Sequence, residues 1–180
     1  MKGLHEDAGM NSAQPNSLLW WVVPDVLAGM RMPFVHHERR MSHGGALDAY
    51  DDDLPVLYSA GVRAVVSLLN IPADAPVYYQ AGFQFLCLPV LDGCAPTLEQ
   101  ADAFAHFVVQ QRGARRPTAV HCEAGLGRTG TMIASYLISM GDSAEAAIQR
   151  VRSVKQAAVE TSKQVEFLGE YAEKCQRARL

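Results

Sequence analysis

The sequence predicts an α/β fold in which helices cover the faces of a central sheet. Short apolar runs rich in β-branched and aromatic residues alternate with helical patterns through the first two thirds of the chain. The last third carries helical patterns alone. The length of 180 residues suits one domain with a sizeable core.

The elements of the first half are short. Two strands are expected in LLWWVVPDVLAGM, where Pro24 and Asp25 separate two apolar runs. A short helix is expected in DLPVLYSAG, with Asp53 as its cap, a proline in its first turn and Gly61 at its end. RAVVSLL and FQFLCLPV indicate two further strands, and PVYYQAG between them indicates a helical turn.

The helices of the second half carry stronger signals. Capping boxes at Thr97–Gln100 and Thr161–Gln164 predict the starts of two helices, the first of which runs to about Arg112. TAVHC is typical of a short buried strand, and GRTGTMIASYLISMG is apolar all round, as a core helix is. A further helix is expected in DSAEAAIQRVRSV, capped at Asp142 or Ser143.

Composition limits the partners and the compartment. The net charge of −3 provides no basic bulk for a nucleic-acid partner, and no apolar run approaches the roughly 20 residues of a membrane span. Residues 1–17 are polar and lack the apolar middle of a secretory signal, so we expect a flexible segment before a domain at residues 18–180. The four irregularly spaced cysteines resemble neither a disulfide framework nor paired metal ligands, which favours a cytoplasmic location.

The stretch AVHCEAGLGRTG, residues 119–130, combines a strand, a glycine-rich turn and a helix start. Glycines allow several backbone amides to point at one spot, and a following helix N-terminus adds to such an anion-binding nest. Arg128 can close the nest with a bidentate fork on two oxygens of a phosphoryl group. The same positive field favours the thiolate of Cys122, and the hydroxyl of Thr129 can approach that sulfur.

The spacing of HCEAGLGRT resembles the H-C-x-x-G-x-x-R-[ST] signature of the cysteine-dependent protein tyrosine phosphatases, in particular the small atypical dual-specificity enzymes. The resemblance implies a mixed, largely parallel sheet flanked by helices, a phosphocysteine intermediate, and neither metal nor other cofactor. It implies Cys122 as nucleophile, Thr129 as the group that assists its departure, and a phosphorylated protein or peptide as substrate. The phosphate-binding loop would comprise Glu123, Ala124, Gly125, Leu126, Gly127 and Arg128.

A carboxylic acid is needed to protonate the leaving oxygen. Asp92, in LPVLDGCAP, follows a predicted strand, and in the resembled family the general acid lies on such a loop. Asp92 could also be only a turn residue. Glu99 is the competing acid, although it falls in a first helical turn, where a carboxylate is expected for other reasons.

Three residues have two interpretations each. His121 would bond to nearby backbone and maintain the thiolate, or simply pack in its strand. Gln164 resembles a glutamine that positions water in some relatives, or it only completes its capping box. Glu160 likewise either faces the phosphate site or has only a structural role. Cys94 could meet Cys122 on oxidation, or it is a packing residue.

The segment 31–48 mixes charges of both signs and could form part of the pocket wall. Arg39 and Arg40 could contact acidic substrate flanks, or they are surface charge. The segment contains three histidines that lack the spacing and the carboxylate partners of a metal site: His36, His37 and His43.

The predicted activity is hydrolysis of phosphotyrosine, with phosphoserine and phosphothreonine as further candidates. An inositol, phosphoinositide or other small-molecule phosphatase is the alternative, although Glu123 would repel a second phosphate. An alternative of another class is a non-catalytic phosphosite-binding module, although such relatives usually lose the cysteine, the arginine or the acid. The oligomeric state stays open.

Overall fold

The structure, a computed structural model, describes residues 18–35 and 53–179. In these residues the strands are β1 (Leu19–Val23), β2 (Leu27–Met30), β3 (Ala64–Ser67), β4 (Gln84–Cys87) and β5 (Thr118–His121). The α-helices are α1 (Asp53–Ser59), α2 (Ala75–Gln80), α3 (Leu98–Gly113), α4 (Gly127–Met140), α5 (Ala144–Val154) and α6 (Ser162–Arg177), and a 3-10 turn at Pro72–Asp74 precedes α2.

The five strands form one mixed sheet in the order β1-β2-β5-β3-β4. Only β1 runs antiparallel to its neighbour, so the predicted mixed, largely parallel sheet is confirmed. His121, the last residue of β5, pairs with Met30 on one side and with Ser67 on the other. The chain therefore leaves β5 at the middle of the carboxyl edge, where ligands bind in sheets of this kind.

Helices pack on both faces of the sheet, as predicted. On one face α4 contacts α3, α5 and α6, and residues 127–138 of α4 are all buried. This confirms the expectation of a core helix that is apolar all round. On the other face, Leu57 of α1 and Tyr78 of α2 pack with Phe83 and Phe85, and the rings of Tyr78 and Phe85 stack at 4.7 Å.

The helix starts follow the predicted capping chemistry. Thr97 and Thr161 each accept a hydrogen bond from the backbone of a glutamine three residues on, and that glutamine accepts one in return. Ser143 caps α5 by accepting from the backbone amide of Ala146 at 3.2 Å. Local signals of this type act within one helical turn, so they can be identified from the sequence.

Two side chains join elements that are distant in the chain. Cys87 is half-buried, because β4 is an edge strand, and its thiol donates to the Leu69 carbonyl at 3.2 Å. Asp53 begins α1 as expected, yet its buried carboxylate accepts from the Phe34 amide at 2.8 Å and pairs with Arg31 at 3.3 Å. This carboxylate therefore connects α1 to the segment that follows β2.

Several predictions concern residues outside the described ranges. They are the flexible segment at residues 1–17 and the part of the proposed wall beyond Val35. The same holds for Arg39, Arg40, His36, His37 and His43. None of the six described helices combines the length and the apolar character needed to cross a bilayer.

The connection between α5 and α6 is held against the start of α4. Val159 is buried and has a φ of 59°, a left-handed conformation that is unfavourable for a β-branched residue. The Arg152 guanidinium donates to the carbonyls of Ala158 at 3.1 Å and Val159 at 2.7 Å. A Cβ on Gly130 would lie 2.7 Å from the Ala158 Cβ, so the connection lies directly on α4.

We predict that Arg152→Gln lowers the free energy of unfolding by about 1–2 kcal/mol, because it removes two charge-assisted hydrogen bonds to a strained turn. Urea denaturation measures the change. Arg150→Gln is the matched control on the same helix, because Arg150 pairs with Asp142 on the surface, where such pairs contribute about 0–1 kcal/mol. Equal destabilisation by the two variants would contradict the assigned role of Arg152.

Candidate active site

Cys122 lies directly after β5 and only 3% of it is exposed. Its sulfur accepts two hydrogen bonds, from the Gly125 amide at 3.3 Å and from the Thr129 hydroxyl at 3.2 Å. The Thr129 hydroxyl oxygen in turn accepts from the Cys122 amide at 2.9 Å, which fixes its orientation. Two donors are therefore directed at one sulfur, at the point where β5 ends.

The loop between β5 and α4 depends on two glycines. Gly125 has a φ of +73°, and a Cβ there would lie 2.3 Å from the Met30 carbonyl oxygen. In the same loop, the Glu123 carbonyl accepts a hydrogen bond from the Met32 amide at 2.9 Å. A Cβ on Gly127 would lie 2.3 Å from the Glu160 carboxylate. Gly125 is therefore required for this path because backbone lies where its Cβ would be, whereas a Cβ at position 127 would displace the end of the Glu160 side chain.

Arg128, in the first turn of α4, is 6% exposed and extends to the opposite side of the site. Its Nη1 donates to the Val90 carbonyl at 3.0 Å, and its Nη2 pairs with the Asp92 carboxylate at 2.7 Å. The Asp92 side chain is 89% exposed, so it is accessible at the mouth of the site. Thirty residues separate Asp92 from Cys122 in the chain, and the fold brings both to one cleft.

The cleft has a volume of about 340 Å³. It is lined by Asp92, Gly93, Cys122, Glu123, Ala124, Gly127, Arg128, Glu160 and Gln164. Most of the predicted site residues therefore meet in one place. Gly125 and Thr129 contact the sulfur from behind, and Leu126 precedes α4 in the same loop without lining the cleft.

The competing acid, Glu99, lies outside this cleft, in the first turn of α3. Its pKa is below its usual value, first because of a hydrogen bond with its own backbone and then because of one with the Thr97 side chain. A carboxylic acid with a lowered pKa is protonated less often near neutral pH, so it is a poorer proton donor. The geometry thus favours Asp92 over Glu99 as the proton donor.

His121 is buried at the end of β5, and its Nδ1 lies 3.1 Å from the Cys122 carbonyl oxygen. A carbonyl only accepts, so this hydrogen bond requires the proton on Nδ1. The Leu68 amide donates to the His121 carbonyl at 2.8 Å and extends the pairing with β3. His121 therefore contacts the backbone beside Cys122, as one of its two interpretations predicts.

Gln164 completes its capping box and also lines the cleft, and its role in positioning water stays a prediction. It is 1% exposed, it lines the cleft, and its side-chain oxygen accepts the amides of Glu160 at 2.9 Å and Thr161 at 3.2 Å. Its side-chain nitrogen donates to the Cys94 carbonyl at 3.3 Å. Cys94 itself is half-buried, and its thiol, like those of the other three cysteines, is free.

From the sequence Gly93 was not expected in the cleft, and Glu160 had the same two interpretations as Gln164. The available signal for Glu160 was its position four residues before Gln164, in the turn that precedes a helix. For the segment after β2, only Arg31–Val35 is described, and Arg31 stacks on Phe34 and pairs with Asp53. The hydrogen bond from Met32 to Glu123 joins this part of the proposed wall to the loop between β5 and α4.

Comparisons with known proteins agree with this site. The family model described as Tc-R-P, polymorphic toxin system, DSP-PTPase phosphatase, matches residues 40–142, which is more than half of the chain. Dual specificity protein phosphatase CDC14AB of Danio rerio is 34% identical over 123 residues, which cover 68% of this chain and 19% of that protein. Tyrosine-protein phosphatase cdc-14 of Caenorhabditis elegans is 33% identical over 118 residues, which cover 66% of this chain and 16% of that protein.

The crystal structure of Tk-PTP in its active form superimposes with a TM-score of 0.72 and 26% identity, covering 87% of this chain and 97% of that one. The chain spans less than a fifth of the two curated relatives, and nearly all of the solved phosphatase. The signature around Cys122, the sheet order and these matches lead to one assignment: the chain belongs to the cysteine-dependent phosphatases of the dual-specificity family, as the resemblance predicted.

Proposed function

We propose that this protein hydrolyses phosphotyrosine, and phosphoserine or phosphothreonine, in proteins through a phosphocysteine intermediate on Cys122. One observation carries the proposal. The sulfur of Cys122 accepts hydrogen bonds from Gly125 and Thr129 at the base of a cleft whose mouth holds Arg128 and Asp92. A nucleophile, an anion-binding fork and a proton donor thus converge on one volume.

In the first step, Arg128 binds two phosphoryl oxygens and the Cys122 sulfur attacks phosphorus. A sulfur–phosphorus bond forms while the bond to the leaving oxygen breaks, and Asp92 donates a proton to that oxygen. In the second step, water attacks phosphorus and gives its proton to Asp92, and the sulfur departs with the bonding electrons. The Thr129 hydroxyl, 3.2 Å from the sulfur, stabilises the departing thiolate.

The Arg128–Asp92 ion pair links substrate binding to the availability of the acid. A phosphoryl group competes for the same guanidinium, because its oxygens bear more negative charge than a single carboxylate. Binding of substrate therefore displaces the Asp92 carboxylate from Nη2. The displaced carboxylate, at the mouth of the cleft, takes up a proton from solvent and gives it to the leaving oxygen.

The charges that line the cleft favour substrates with a single phosphate. Asp92, Glu123 and Glu160 are acidic, and Arg128 is the one basic residue among the described residues that line it. A second phosphate beside the first would meet carboxylates, which repel it. This supports phosphoproteins over polyphosphorylated inositol lipids as substrates.

We also propose that the protein is cytoplasmic and has no nucleic-acid partner. The irregular spacing of the cysteines supports the location, and the net charge of −3 supports the lack of a nucleic-acid partner.

Cys122→Ser is expected to reduce turnover of p-nitrophenyl phosphate by at least about a thousandfold while binding of tungstate persists, because the nucleophile changes and the anion site does not. Steady-state kinetics and calorimetry measure the two effects. Mass spectrometry of the quenched wild-type reaction should show one phosphoryl group on Cys122. Cys175→Ser is the matched control, since that thiol lies on α6, outside the cleft. Full turnover by Cys122→Ser would overturn the proposal, and tungstate binding without any wild-type turnover would support a binding module instead.

Asp92→Asn is expected to slow hydrolysis of phenyl phosphate about a hundredfold and that of 2,4-dinitrophenyl phosphate only slightly, because only the poorer leaving group needs the proton. The measurement is kcat/KM across a series of aryl phosphates. Glu99→Gln tests the competing acid in parallel and should leave this series unchanged. If Asp92→Asn lowered kcat/KM by the same factor for every ester of the series, another group would supply the proton.

A further inference from the structure

The loop that carries Asp92 is attached at both ends by side-chain amides. The Gln100 side-chain nitrogen donates to the Pro89 carbonyl at 2.7 Å, on the N-terminal side of Asp92. The Gln164 side-chain nitrogen donates to the Cys94 carbonyl at 3.3 Å, on the C-terminal side. We refer to residues 89–94 as the acid loop.

Both glutamines hold the same position in a helix. Each is the third residue of its helix and closes a capping box, Gln100 with Thr97 in α3 and Gln164 with Thr161 in α6. In each box the side-chain oxygen accepts the threonine amide, at 2.9 Å for Gln100 and 3.2 Å for Gln164. Glutamate would serve a capping box equally well, because the box uses only an acceptor oxygen.

The bonds to the acid loop need the amide nitrogen. A carboxylate has no hydrogen to donate to the carbonyls of Pro89 and Cys94, and its negative charge would repel them. The choice of glutamine at both positions therefore goes beyond what helix capping requires. Substitution by glutamate separates the two roles, since it preserves the cap and removes the attachment.

The position of Asp92 depends on these attachments, because its own side chain is 89% exposed and is not held by packing. Between the two ends, the Thr161 hydroxyl lies 3.4 Å from the Gly93 carbonyl, and Arg128 donates to the Val90 carbonyl at 3.0 Å. Arg128 is needed for phosphate in the proposed reaction, so its hold on Asp92 ends when substrate binds. The glutamine attachments do not involve phosphate and persist through that exchange.

We propose that Gln100 and Gln164 are positioning residues that hold the acid loop over Cys122, so that Asp92 reaches the leaving oxygen once Arg128 binds phosphate. The proposal rests on the proposed function and on Asp92 as its proton donor. It assigns Gln164 to the first step of the reaction, protonation of the leaving group. If Gln164 instead positioned the attacking water, its substitution would affect the second step.

The test compares Gln100→Glu and Gln164→Glu with the wild type on phenyl and 2,4-dinitrophenyl phosphate. The readout is the ratio of the two kcat/KM values, because a new carboxylate at position 164 would repel both substrates alike. Each variant should lower phenyl phosphate hydrolysis about tenfold relative to the dinitrophenyl ester, since a displaced acid loses its reach. Gln110→Glu, an exposed change on α3, is the charge-matched control and should leave the ratio unchanged. Thermal unfolding should confirm that the caps are intact.

The same substitutions in an Asp92→Asn background identify the group through which the glutamines act. If they act through Asp92, the ratio should not fall further in the double variants. The assignment is overturned by an unchanged ratio in both single variants, or by an equal further loss without Asp92. For Gln164 it is also overturned by a burst of product with accumulated phosphocysteine, which marks a defect in the second step. Failure of the proposed function would look different, because the wild type itself would then show no turnover or no dependence on Asp92.

Discussion

The site depends on a sulfur that receives two hydrogen bonds at the end of a buried strand. The amide of Gly125 and the hydroxyl of Thr129 reach the Cys122 sulfur only because the chain turns from β5 into α4 within a few residues. That turn requires a positive φ at Gly125, whose missing Cβ lets the loop lie on the Met30 carbonyl. The position of β2 beside β5 is therefore part of what shapes the phosphate loop.

The other half of the site comes from elements distant in the chain. The acid loop follows β4, an edge strand, and lies at the cleft, where Arg128 donates to its backbone and pairs with Asp92. The turn before α6 approaches from a third direction and brings Glu160 and Gln164 to the cleft. Arg152 and the strained Val159 fix that turn against α4, so the floor and the walls of the cleft share one supporting helix.

The sequence predicted the parts of this arrangement that are encoded locally. The signature from His121 to Thr129, the two capping boxes and the core character of α4 each depend on residues within a few positions of one another. Asp92 was identified through its place after a strand and through family resemblance. Its ion pair with Arg128 and the burial of Asp53 against Phe34 arise from contacts across the fold. No local pattern encodes such contacts, and the half-burial of Cys87 depends likewise on which strand lies at the edge of the sheet.

The pairing of the central strand has a consequence for biosynthesis. β5 lies between β2 and β3, so Met30 and Ser67 can pair with His121 only after the chain has been made as far as β5. Contacts of such long sequence separation form slowly compared with helices. The hydrogen bonds from Gly125 and Thr129 to the Cys122 sulfur can therefore form only when β5 has been made and the sheet is complete. Chemical reactivity at Cys122 would then report the arrival of the native topology in a refolding experiment.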